Sequence, residues 1–444
     1  MAAEVAQGRV VKEIVDGGGL YFAHVATSGP FAFLAGAAAD SSGAIAEEAR
    51  VAPPYASSPP AHVTAQTTYL FRRYARALDE LGSDINQMLQ VEQFIPHKIY
   101  ADGYLDVSRG SEFMTRGRPA SALICTGDLD PHGSVINPAG IAVIPGPGVA
   151  KEIPKSSAGY HTGLAQREFG DTFAEEGPFN EVVTAGGYAF VVGDVAFDWT
   201  IGEIAADARA SSTIWWGSEI QKEATFLLER LGGFLGRVES SFENVVHSTV
   251  YLTDIGDLFE LDRVWRRYFP SDPPARTVVP VRGLSVPRWE GPNRGHLDNA
   301  IRMEHLTQAV CGNSGLKREV ITTGAHPLEP CSEAIRAGNL LWISGQYAGG
   351  ANGLNCRPDT ASQLEYLFER LDAICRAGAT SIANLVRLRA FLADAADAKL
   401  VYGLLKQAVP NDPPTVQVTT VPTPFAIPGA SVVVDAVAHV PESA

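Results

Sequence analysis

Nowhere does this chain hold about 18 continuous apolar residues, the least that a bilayer-spanning helix needs. Its first residues, Met-Ala-Ala-Glu-Val-Ala-Gln-Gly-Arg, lack the basic region and apolar core of a secretory leader, so a cytoplasmic protein with no membrane partner is expected. Basic residues are also in short supply. Lys and Arg number 35 against 50 Asp and Glu, and a net charge of −15 sets nucleic acid and anionic surfaces aside as partners. Cysteine is scarce as well: Cys125, Cys311, Cys331, Cys356 and Cys375 are an odd set with no CxxC or His-flanked spacing, which argues against a disulfide framework or a zinc site. Gly17 to Gly19 lack the strand-to-helix setting of a phosphate loop, and no cofactor is expected.

What is there is ample core material, 45% hydrophobic and 19% charged over 444 residues, enough for about three domains. The chain repeats itself at that scale. Gln66, Gln221 and Gln363, separated by 155 and 142 residues, each open a helical stretch that leads to an apolar strand. A short helix follows, then a Pro-led strand: Arg118-Pro-Ala-Ser, Asp272-Pro-Pro-Ala-Arg276 and Asp412-Pro-Pro-Thr. Each copy begins with a hairpin signal, seen in Glu333 to Gln346 around Ala-Gly-Asn. Ala224, Leu227, Leu228 and Leu231 form one helical stripe, and Leu364, Leu367, Phe368 and Leu371 another. Thr253-Asp254 caps a second helix. The order β-β-α-β-α-β-β predicts an α+β fold with helices on one face of a mixed sheet. Gly- and Pro-rich runs after Ile144 and Cys311 mark cuts near 155 and 315, giving units 1–155, 156–315 and 316–444.

Thr253-Asp-Ile-Gly-Asp-Leu-Phe259, Trp265-Arg-Arg-Tyr-Phe-Pro and Pro273-Pro-Ala-Arg-Thr-Val-Val-Pro-Val281 closely resemble the RidA family, as do Pro327-Leu-Glu-Pro-Cys-Ser-Glu-Ala and Ile343-Ser-Gly-Gln346. The resemblance implies three tandem RidA-like (chorismate-mutase-like) α+β domains that form an intramolecular pseudo-trimer, with ligand clefts between copies. It also implies hydrolysis of enamines or imines to ketones and ammonia. Carried over position by position, the family's carboxylate-binding arginine falls on Arg276, but on Ser121 and about Val416 in the other copies. Its cleft tyrosine falls on Tyr21, Phe179 and Cys331, its Ser-Gly serine on Ser344, its helical asparagine on Asp262, and its last-strand acid on Asp298.

Arg276 is the natural anchor for a carboxylate, because a guanidinium engages both oxygens at once. Enamine hydrolysis further needs a proton carrier near water, which makes Asp298 and Asp262 candidates. The long connection from Ser285 to His296 carries Trp289, Glu290, Arg294 and His296 beside the arginine strand, as a lid or specificity loop would. Tyr21, or alternatively Ser344 and Cys331, completes the cleft, depending on which copy faces Arg276. The expected function is hydrolysis or deamination of a small carboxylated enamine, imine or related C–N compound, an aminomuconate-like ring-cleavage product among them. The alternatives are a non-catalytic binding or scaffold protein and a different ring-opening hydrolysis.

Overall fold

The computed structural model describes residues 8–110, 112–155, 179–198, 203–209, 218–284, 301–324, 330–349 and 356–442. Copy one supplies β1 (Val11–Gly17), β2 (Leu20–Ser28), β3 (Phe31–Leu34), helix α1 (Pro59–Asp79), β4 (Met88–Ile95), helix α2 (Ala101–Arg109), β5 (Ala120–Cys125) and β6 (Asn137–Val143). Copy two supplies β7 (Val182–Ala185), β8 (Tyr188–Val191), β9 (Asp194–Val195) and a ribbon of β10 (Phe197–Asp198) with β11 (Glu203–Ile204). Helix α3 (Glu219–Gly236), β12 (Val245–Leu252), helix α4 (Leu258–Tyr268), β13 (Ala275–Pro280) and β14 (Met303–Val310) complete it. Copy three supplies β15 (Arg318–Ile321), β16 (Ala334–Ala337), β17 (Leu340–Gln346), helix α5 (Thr360–Ala377), β18 (Leu385–Leu392), helix α6 (Ala398–Ala408), β19 (Thr415–Thr420) and β20 (Val432–His439).

One topology recurs. The sheet orders are β1-β2-β3-β6-β4-β5, β13-β12-β14-β8-β7 and β15-β16-β17-β20-β18-β19, with β4–β5, β12–β13 and β18–β19 the parallel pairs. The expected order thus stands, with additions: β1 and β15 lie ahead of the hairpins as further antiparallel edge strands, and copy two inserts the short β9 to β11 after its hairpin. Their half-exposed faces carry no clean hydrophobic alternation, which is why the sequence pattern passes over them. The predicted stripes on α3 and α5 are buried against the sheets, and Asp254 accepts from Gly256 N at 2.9 Å to open the turn that leads into α4. Among the described residues no helix is long and apolar enough to cross a membrane.

The copies close into a ring because each parallel strand docks on the next copy's hairpin. Gly193 N donates to Ser121 O (3.0 Å) and Arg282 N to Cys125 O (2.8 Å), joining copy one to copy two. Ser332 N donates to Pro274 O (3.1 Å), joining two to three. Ala23 N donates to Pro414 O (2.9 Å) and Thr420 N to Asp128 O (3.0 Å), joining three to one. The N-terminal segment reinforces this last seam, since Arg9 Nη2 donates to Leu385 O (2.8 Å) and Asp412 O (2.5 Å). Phe94, Tyr251 and Phe391, one from each copy, pack in a shared core. Beside them Arg389 of copy three reaches Glu92 of copy one (2.7 Å), Thr249 of copy two (2.9 Å) and its own neighbour Asp435.

Candidate active site

Arg276 is the second residue of β13, in register with Ser248 on β12; Ser121 and Val416 hold the same register opposite Val91 and Leu388. Only copy two therefore places a guanidinium there. Its side chain is almost wholly buried, with Nη1 2.7 Å from Asp262 Oδ1 and the guanidinium carbon 5.1 Å from the centre of the Trp265 ring. Asp262 and Trp265 lie three residues apart on α4, so they share one face and hold the cation from two sides. Nη2 is buried and makes no hydrogen bond among the described residues. A guanidinium arm out of water and without an acceptor is costly, and it marks the position where an anionic ligand atom would be most stabilised. Burial pushes the Asp262 carboxyl up from its ordinary value, while the charge of Arg276 pulls it back.

The facing wall comes from copy three. Arg276 N donates to Ser344 Oγ at 3.0 Å, and that hydroxyl in turn donates to Ser332 O. Tyr347 Oη donates to Val278 O at 2.9 Å, and burial holds its phenol far above the ordinary range. Cys331 is buried next to Ser332, and its thiol is near enough to Tyr347 to influence that phenol. Trp265, read only as part of a family motif, and Tyr347 are site residues that the sequence reading did not single out. Trp265 could have been found from its spacing to Asp262, and Tyr347 from its place just after Ser-Gly-Gln346.

One carried-over position needs correction. The matching bonds of Ala23 to Pro414 and of Ser332 to Pro274 align Phe22, not Tyr21, with Cys331. A one-residue slip on a strand reverses the side chain's face. Tyr21 accordingly lies at the seam between copies three and one, donating to Val409 O at 2.8 Å, away from Arg276. On the last strand, Asp435 sits opposite Arg389, and the equivalent residue of copy two, opposite Thr249, is Leu306. Asp298, the acid carried over to this strand, lies with Trp289 and Glu290 outside the described residues. Among the described residues no cluster of three His, Cys, Asp or Glu could hold a metal ion.

Comparison with known proteins adds four findings. The model of the endoribonuclease L-PSP family matches residues 169–290 and 322–440. A RutC family protein of Pyrococcus abyssi is 29% identical over 108 residues, covering 24% of this chain and 76% of that protein. The human 2-iminobutanoate/2-iminopropanoate deaminase is 28% identical over 108 residues, 24% of this chain and 71% of that enzyme. Among solved structures, RidA of an Antarctic Psychrobacter matches with 23% identity and a TM-score of 0.25 over 27% of this chain and 98% of its own.

Proposed function

The chain belongs to the RidA (endoribonuclease L-PSP) family, and from that premise we propose that it is a deaminase of small carboxylated enamines or imines whose working cleft surrounds Arg276. The observation that carries this reading is the buried, unpartnered Nη2 of Arg276, beside an Nη1 already fixed by Asp262. In this reading Nη2 donates to the substrate carboxylate, and the Trp265 ring keeps the guanidinium in place beneath it. An enamine takes a proton at carbon to become an iminium; an imine is protonated directly at nitrogen. Water then adds to the C=N carbon, giving a carbinolamine that collapses to ketone and ammonia, so one water is consumed per ammonia released. Asp262, with its raised carboxyl next to the anchored carboxylate, is the candidate carrier of these protons.

Ammonia release above the spontaneous rate is measured from freshly generated 2-aminoacrylate, coupled to glutamate dehydrogenase. Arg276→Ala is expected to lower kcat/KM by about 100-fold or more, in line with loss of a charged anchor. Full turnover by Arg276→Ala would remove the basis of this reading. A second reading, ligand binding without turnover, draws on the ion pair itself: Asp262 already neutralises Arg276 and is less available for proton transfer. It predicts that small carboxylates bind and that no ammonia appears.

A further inference from the structure

Away from the Arg276 cleft, copy one carries an open cavity of about 590 Å³ at its surface, within the size range of small-molecule sites. Its walls are the β1–β2 turn, the connection between β3 and α1, the first turns of α1 and the loop after β5. Those walls are fixed by specific contacts. A side chain on Gly43 would collide with Gly17 O, and Gly43 adopts φ +81°, so the turn and the connection meet backbone to backbone. Gln66 spans the floor, donating to Gly133 O (3.0 Å) and accepting from Val135 N (2.9 Å).

The polar groups lining it are of opposite sign. Tyr402 of copy three stands near enough to Asp130 to influence its carboxyl, and Asp130 Oδ2 is buried with no hydrogen-bond partner among the described residues. Tyr402 is the fifth residue of α6, as Asp262 is the fifth residue of α4, so an equivalent helical position stands beside a charged side chain in both places. Arg50 lines the same cavity, steadied by donation of Nε to Ile45 O at 2.8 Å. His132 lines it too, near enough to Asp130 to favour its anion, and His62 is tied to Ala56 O at 2.7 Å. Burial raises the Asp130 carboxyl to about 6, which leaves it mostly anionic at pH 7.

We propose that this cavity is a second ligand site that takes a zwitterionic α-amino acid, its ammonium on Asp130 Oδ2 and its carboxylate toward Arg50 and His132. An ammonium supplies the donor that Oδ2 lacks, and the Arg50 guanidinium lining the same cavity accounts for the carboxylate. The assignment is independent of turnover at Arg276.

Isothermal titration of the full chain with each of the twenty common amino acids, and with lactate, tests it. At least one amino acid is expected to bind saturably, with lactate at least tenfold weaker because it offers no ammonium. Asp130→Asn and Arg50→Ala should each weaken that binding at least tenfold, and Arg276→Ala should leave it unchanged. Arg50 is exposed, so its variant keeps the fold even if Asp130→Asn does not. Absence of saturable binding by every amino acid, equal binding of lactate, indifference to both cavity variants, or loss of binding in Arg276→Ala would each overturn the proposal.

Discussion

At the residue scale the decisive geometry is the guanidinium clamp. Arg276→Lys keeps the charge but loses the planar fork that meets both Asp262 and a ligand, so it should fall nearly as far in kcat/KM as Arg276→Ala. Asp262→Asn removes the ion pair and the carboxyl proton; a drop in kcat larger than the rise in KM would support Asp262 as proton carrier, and a pure KM effect would assign it to positioning alone. Arg276, Ser344 and Asp262 were legible because each sits in a motif whose turn or proline fixes its register. Tyr21 was misplaced because nothing in the preceding stretch pins the strand to one residue, and one residue is enough to reverse a side chain. Which copy faces Arg276 was not legible at all, since Ser344 lies 68 residues away and meets it only across a boundary between copies.

Among the elements, the docking of strand on hairpin leaves little room. Gly193 lies where β5 of copy one meets the end of β8, and a methyl there would collide with the Ala122 methyl and Glu304 Oε1. Gly193→Ala should therefore part the two copies and cost roughly 1–3 kcal/mol, read as a lower urea midpoint at unchanged slope. Gly233 of α3, with nothing near its missing side chain, is the control: Ala there should stabilise by about 0.5–1 kcal/mol through helix propensity. Helices and central strands followed from periodicity, because their buried stripes are set by packing on the sheet. The edge strands β1 and β15 did not, since pairing on one side and partial exposure relax the pattern that marks a strand.

For the whole molecule, charge buried at the junction of the copies contributes to the pH response. His247 of copy two stacks on Trp342 of copy three at 5.8 Å, and burial lowers its imidazole to about 3, with Arg389 adding to that and Asp435 opposing it. The folded state thus keeps His247 neutral while the unfolded chain takes up a proton below about pH 6.5. Stability from this group is complete above that value and is lost as pH falls toward 3, on the order of a few kcal/mol. Thermal melts between pH 7 and 4 should show His247→Gln losing less stability, or gaining more, than the unaltered chain over that range. Arg389→Ala strands Glu92 and Asp435 as buried charges and should cost about 3–5 kcal/mol, whereas replacing all three by apolar residues should recover most of it. This network joins residues up to 297 positions apart, and no local pattern announces it.

The seam where Arg9 and Ala23 grip copy three is the one junction of the ring that no linker spans. It works as a clasp on a bracelet of three beads. When it opens, the beads stay strung together, so reclosing proceeds at a local concentration set by tether length and not by the amount of protein present. A ring built from separate subunits falls apart on dilution; this one should keep its clefts at concentrations far too low for three strangers to meet.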